Sequence, residues 1–358
     1  MKKRNLILIG AVVVIGVVAL VVALRGSRTA TFSQDYHIAD TASVTKIFLA
    51  DKQNNEVLLE RQADSSWRVN KSFTASQPLV DLLLETLNTM RIREQVNKSA
   101  APTIIKDISA HGIKVEVYQR KYRINWFGSH LRLFPHEVLS ATYYVGRETQ
   151  DLMASHMWRK GDKVPYVIYI PGFRGFLTPR FVSDPIKWRS HRIVDLNVHA
   201  IERVELEIPS EPTESFAVVR NGEGFDFELL QSHRRVEAFD TARVAQMLSC
   251  FTNLNFDEFA AIVPHSHADS CVSVVPRTIL RVTDTAGTTH ELKTYIKYTN
   301  PDDLKAISDP ETYEIFDLNR LYAILDSRDT VLIQYFVFDN ILQPASYFLG
   351  QNKTTIAR

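Results

Sequence analysis

Two stretches of the chain carry one apolar pattern, and a repeat of this kind restricts the fold to a pair of similar modules in tandem. The first reads SVTKIFLADK, EVLLERQADSSWRVN and ASQPLVDLLLETLNTMRI; the second reads AIERVELEIP, SFAVVRNGEGFDFEL and FDTARVAQMLSCFTNLNF. Val44, Ile47 and Leu49 fall in step with Ile201, Val204 and Leu206, and Trp67 and Val69 with Phe225 and Phe227. Further on, Val80, Leu83, Leu84, Leu87, Met90 and Ile92 match Val244, Met247, Leu248, Phe251, Leu254 and Phe256 without a gap.

Each copy reads locally in the same way. Alternation at Ile47/Leu49 and at Val204/Leu206/Ile208 is the period of a half-buried strand, and the turns DKQNN and PSEPTE follow. Ser76 and Asp240 are helix N-cap types placed just before an apolar stripe at i, i+3, i+4 and i+7, so each opens an amphipathic helix of about four turns. The expected class is α+β: two tandem copies of a small antiparallel sheet covered by one amphipathic helix. Downstream, GIKVEVYQRKYRINW and RTILRVTDTAGTTHELKTY are expected as hairpins, and PYVIYIP and TYEIFDL as strands. FRGFLTPRF and RLYAILDSR are expected as short helices, and WRSHRIVDL and DSRDTVLIQ as closing strands. This places copy one at 42–197, copy two at 198–343 and a tail at 344–358.

Ahead of the copies, residues 6–24 form an apolar run of 19 residues behind Lys2, Lys3 and Arg4. A helix of that length spans the roughly 30 Å hydrocarbon core of a bilayer, and the basic cluster holds its N-terminal side in the cytoplasm. A cleaved signal peptide is the competing reading. The run exceeds the usual signal core of about 7–15 residues, and Arg25 and Arg28 follow it at once, which favours an uncleaved single-pass anchor (1–24) and a polar tether (25–41). The membrane is thus an expected partner through residues 6–24.

The composition, 45% hydrophobic and 23% charged, suffices for substantial cores. Two cysteines, Cys250 and Cys271, allow one disulfide in an oxidising compartment, or two packed thiols. No P-loop, G-x-G-x-x-G, G-x-S-x-G, H-E-x-x-H or C-x-x-C occurs, so no catalytic residue and no cofactor is assigned and the chain is expected not to be an enzyme. The best metal candidate is His265, His267 and Cys271, because alternate residues of an extended segment point the same way; the competing reading is a solvated loop. In the segment 171–181, Phe173, Arg174, Phe176 and Arg180 have the composition of a contact surface, against packing of the phenylalanines into the core.

Charge is polarised although the total is only +1. Residues 114–192 carry 14 Lys and Arg against 6 Asp and Glu, whereas 193–358 carry 14 against 25. Such separation orients an anchored domain over an anionic membrane, steers an acidic partner, or holds the copies together. Nucleic acid is not expected for an exported chain of near-zero net charge.

SVTKIFLADKQNNEVLLERQADSSWRVN, QPLVDLLLETLNTMRI and the closing WRSHRIVDL together resemble the bacterial domain of unknown function numbered 4340. The resemblance implies a membrane-anchored exported protein, placed in the inner membrane of a bacterium with its N-terminus cytoplasmic and residues 25–358 periplasmic. It brings no catalytic residues, and some relatives are encoded beside a gliding-type ABC transporter. The resulting expectation is a non-catalytic scaffold or assembly protein of an envelope complex with a protein partner. The alternatives are an accessory subunit of such a transporter, and an exported ligand-binding protein or hydrolase using the cleft between the repeats.

Overall fold

The computed structural model describes residue 16 and residues 36–126, 131–222, 224–263, 268–298 and 316–350. The chain divides into two compact units, Met1–Arg189 and Ser190–Arg358. The first runs β1 (Val44–Ala50), β2 (Glu56–Arg61), β3 (Trp67–Val69), β4 (Phe73–Thr74), α1 (Gln77–Thr89), β5 (Arg91–Gln95), α2 (Ala101–His111), β6 (Ile113–Trp126), β7 (Leu131–Glu148), β8 (Ser155–Arg159) and β9 (Tyr166–Tyr169). Its strands make one nine-stranded antiparallel sheet in the order β4-β3-β2-β1-β6-β7-β8-β9-β5.

The second unit runs β10 (Arg192–Val194), β11 (Ile201–Glu207), β12 (Phe216–Asn221), β13 (Gly224–Leu229), β14 (Arg234–Val236), α3 (Thr241–Ser249), β15 (Leu254–Asn255), β16 (Glu258–Phe259), α4 (Ala268–Cys271), β17 (Thr278–Asp284), β18 (Thr289–Tyr298), β19 (Phe316–Leu325), β20 (Asp329–Gln334), α5 (Tyr335–Phe338) and α6 (Ala345–Phe348). Its nine-stranded sheet has the order β14-β13-β12-β11-β17-β18-β19-β20-β16, and β10 pairs with β15 in a separate ribbon. Position by position, the two nine-stranded orders are the same. The ladders share an irregularity as well: β1 slips against β6 between Val44 and Lys46, and β11 slips against β17 between Ile201 and Arg203.

Alternation decides which face is buried. Val44, Ile47 and Leu49 on β1 are sealed from solvent, as are Ile201, Val204 and Leu206 on β11. In the first unit Ile47, Leu49, Leu59 and Trp67 share one core with Val80, Leu83 and Leu87 of α1 and with Phe181, so α1 lays its apolar stripe on the sheet. Lys46, Lys114 and Glu116 occupy the opposite face, where Lys114 pairs with Glu116 at 2.6 Å. In the second unit Arg203, Glu205, Glu228, Arg281, Glu291 and Lys293 form a ladder of ion pairs across the equivalent strands.

The expected α+β class with small sheets is corrected. Extended sheets of nine strands dominate each unit, making the fold β-rich. RLYAILDSR, expected as a short helix, runs instead as β19 and its following turn. Leu321, Tyr322 and Ala323 are buried in succession, so this strand is covered on both faces and shows no alternation that distinguishes it from a helix. GIKVEVYQRKYRINW is one long strand, β6, whose hairpin partner is β7. Within FRGFLTPRF only Thr178–Arg180 is helical, as a single 3-10 turn. Of WRSHRIVDL, Arg192–Val194 forms β10, and its pairing lies with Leu254–Asn255 of the second unit.

The apolar run 6–24 lies outside the described residues apart from Gly16. No helix among the described residues is long and apolar enough to cross a membrane.

Candidate functional site

A groove of about 600 Å³ opens in the second unit. Its walls come from Arg277 and Thr278 at the start of β17, Ile296 of β18, Phe316–Leu321 of β19, and the chain from α5 to Pro344. The placement follows from the end of β20: after Gln334 the chain turns into α5, and burial of Phe338 and Ile341 draws 335–344 over the sheet. Ile296, Phe316, Leu318, Leu321, Phe338 and Leu342 make the walls largely apolar. Leu318, at 51% exposure, is unusually open for its type.

Several polar groups of the wall are held by neighbours. Arg277 donates to the Tyr335 hydroxyl at 3.2 Å, and Thr278 and Thr294 share a buried hydroxyl contact of 2.6 Å. Lys297 donates to Asp317 at 2.7 Å, while the backbone amides of Asn319 and Arg320 donate to its other oxygen at 2.9 and 3.0 Å. Burial alone would raise the Asp317 pKa, yet the Lys297 hydrogen bond and charge and the two amides carry it below the usual carboxylate range. Burial pushes the Tyr335 phenol up, with Asp317 and Asp339 adding to the rise and Arg277 opposing it. The groove thus offers apolar walls beside the fixed Arg277–Tyr335 pair.

The residues singled out from the sequence are not brought together at this groove. His265 and His267 lie outside the described residues. Cys271 packs with Ala260, Tyr295, Tyr322 and Leu332, and among the described residues no group of three or more His, Cys, Asp or Glu side chains is arranged to hold a metal ion. Cys250 and Cys271 form no disulfide; both are free thiols. Their surroundings differ, since Cys250 donates to the Gln246 carbonyl at 3.3 Å at the end of α3 while Cys271 belongs to the α4 cluster.

The segment 171–181 divides between surface and core. Phe173 and Arg174 are exposed and Phe176 is half-buried. Arg180 donates to Thr86 of α1 at 3.0 Å and lies 4.4 Å over the Phe173 ring, so it straps the loop to the helix. Leu177 and Phe181 belong to the core. Gly175, at φ +154°, stands where an added Cβ would come within 2.9 Å of the Phe173 ring. Sequence reasoning passed over Arg277, Asp317 and Tyr335, which belong to no motif; the only signal was the apolar cluster YFVF directly behind a strand.

Comparison with protein-family models, with curated proteins and with solved structures returns no match for this chain.

Proposed function

We propose that this chain is a single-pass protein of a bacterial inner membrane whose periplasmic part serves as a non-catalytic scaffold or assembly partner in an envelope complex. Support for the membrane half of the reading is the apolar run 6–24 behind Lys2, Lys3 and Arg4, together with the resemblance of 42–340 to the domain numbered 4340. The observation that carries the scaffold half is the groove of the second unit, whose apolar walls and open residue Leu318 suit an apolar side chain of a protein partner. A photo-crosslinking amino acid at Leu318 tests this in cells: one discrete protein adduct, lost when Phe316→Glu is added, is expected. Absence of any protein adduct contradicts it.

The same groove favours a second reading, an exported ligand-binding protein, because about 600 Å³ bounded by apolar walls also suits a small molecule. Native mass spectrometry distinguishes the two. A stoichiometric small-molecule mass on the purified chain, abolished by Leu321→Trp, supports the ligand reading over the scaffold.

A further inference from the structure

β6 and β7 are 14 and 18 residues long, and they outrun the sheet that holds them. β1 pairs with β6 only as far as Gln119, opposite Val44. Beyond that point, among the described residues, the strand ladder of Arg120–Trp126 runs with Leu131–Glu137 and no third strand, giving a two-stranded ribbon about 23 Å long at ~3.3 Å per residue. An unsupported ribbon is marginal in water and presents unpaired edges, so a surface that receives it accounts for its length.

Along the ribbon Tyr122, Ile124 and Leu133 share one face by register, with Arg120 and Glu137 at its root, whereas Lys121 and His136 lie on the other face. Leu133 is 42% exposed, and Phe134 is 63% exposed at a φ of +57°, a conformation that bulky residues rarely adopt. Arg120, Lys121 and Arg123 make no ion pair with a described residue, and the nearby Glu137 is held by Lys46 at 3.0 Å. Exposed apolar and aromatic groups beside cations that make no ion pair among the described residues match the chemistry of an anionic bilayer surface, where apolar side chains enter the headgroup boundary and Lys and Arg meet the phosphates.

The path of the chain points the same way. The continuous described chain begins at Tyr36, which donates to Asp162 in the turn after β8. It then passes Asp40 and Ser43, whose backbone carbonyls accept from the Gln119 side chain at 2.8 Å and the Arg120 amide at 2.8 Å. The N-terminal segment thus arrives at the root of the ribbon, and because β6 is antiparallel to β1 the ribbon projects beyond the end at which β1 begins. Residues 25–35 span at most about 40 Å when fully extended. That short reach keeps the ribbon end of the first unit near the bilayer in which residues 6–24 are proposed to sit.

We infer that the β6–β7 ribbon is a membrane-surface arm that docks on anionic phospholipid headgroups, with Leu133 and Phe134 in the interface and Lys121 and Arg123 on the phosphates. This rests on the anchored topology proposed above. The test uses the full chain in lipid nanodiscs, with Cys250→Ser to remove the accessible thiol and a bimane label on Leu133→Cys; Gln53→Cys, in the turn at the other end of β1, is the control. In discs containing phosphatidylglycerol, doxyl lipids are expected to quench the ribbon label about threefold more than the control, an excess lost in purely zwitterionic discs, at high salt and in Lys121→Gln/Arg123→Gln. Equal quenching of the two labels, or none at the ribbon in discs that carry the chain, overturns the arm alone. Failure of the chain to co-purify with discs of either composition overturns the anchor and the arm together.

Discussion

The Tyr36 hydroxyl donates to Asp162 at 2.7 Å and also accepts the backbone amide of Arg159 at 3.1 Å, although the residues lie more than a hundred positions apart. Tyr36 is fully buried, and its carbonyl accepts from Tyr143 at 2.6 Å. Burial pushes its phenol far above the usual range, with the Asp162 hydrogen bond and charge adding to the rise, so the hydroxyl remains a donor at every working pH. Tyr36→Phe keeps the ring but removes the hydrogen bonds to Asp162 Oδ2 and from the Arg159 amide, while the Arg159 side chain still holds Asp162 Oδ1 at 3.2 Å. A loss of about 1–2 kcal/mol is expected in urea unfolding of the full chain, with no change in far-ultraviolet circular dichroism.

Ser76 and Asp240 are equivalent by sequence but not by geometry. Asp240 accepts from the amides of Ala242 and Arg243 at 3.1 and 3.0 Å, whereas Ser76 makes no side-chain cap bond and α1 opens with Pro78 in its first turn. Asp240→Ala is expected to cost about 0.5–2 kcal/mol, and Ser76→Ala only a few tenths. Parallel denaturant titrations of the two variants check the difference.

Arg281 holds three carboxylates on the open face of the second sheet. It pairs with Glu205 at 3.0 Å, with Glu291 at 2.9 Å and with Glu207. Burial alone would raise the Glu291 pKa, but hydrogen bonds from Lys293 and Arg281 bring it below the ordinary value. Because the folded value is the lower one, this stabilisation is present above the unfolded carboxyl range and is lost as pH falls through the folded value. Arg281→Ala leaves the carboxylates facing one another. About 1–2 kcal/mol of destabilisation is expected at low ionic strength, shrinking at about 0.5 M salt; thermal unfolding at the two salt concentrations measures it.

His191 is stacked 4.7 Å from Phe256 and edge-on at 5.5 Å to Phe259. Burial lowers its pKa from 6.5, against the raising effects of Asp257 and Glu258. The unfolded chain therefore takes up this proton first, so stability is complete above the unfolded value and declines as pH drops through it. The fall in Tm between about pH 7.5 and about pH 5.5 is expected to be smaller in His191→Phe than in the parent. Equal falls would show that His191 does not contribute to the acid sensitivity.

Much of the scaffold was legible because a regular period reports a one-sided environment. Ile47 and Leu49 recur at a period of two because one face of β1 meets α1, and the stripe Val80, Leu83 and Leu87 is the other half of that contact. The reading failed where no single face was buried. Leu321–Ala323 is covered on both sides and reads equally as helix or strand. In the ribbon, Lys121 and Arg123 are exposed and Tyr122 and Ile124 only half-buried, so no core imposed an alternation that would mark its length. The groove was illegible for another reason: Arg277, Asp317 and Tyr335 are joined by tertiary folding, and no local spacing announces them.

The central claim is that an apolar N-terminal helix places both sheet units on the far side of a membrane. Protease treatment of spheroplasts from cells expressing the full chain with a C-terminal epitope tests it most directly. Loss of the epitope with the outer membrane removed and the inner membrane intact is the expected result. An epitope that survives until the inner membrane is dissolved would contradict the account.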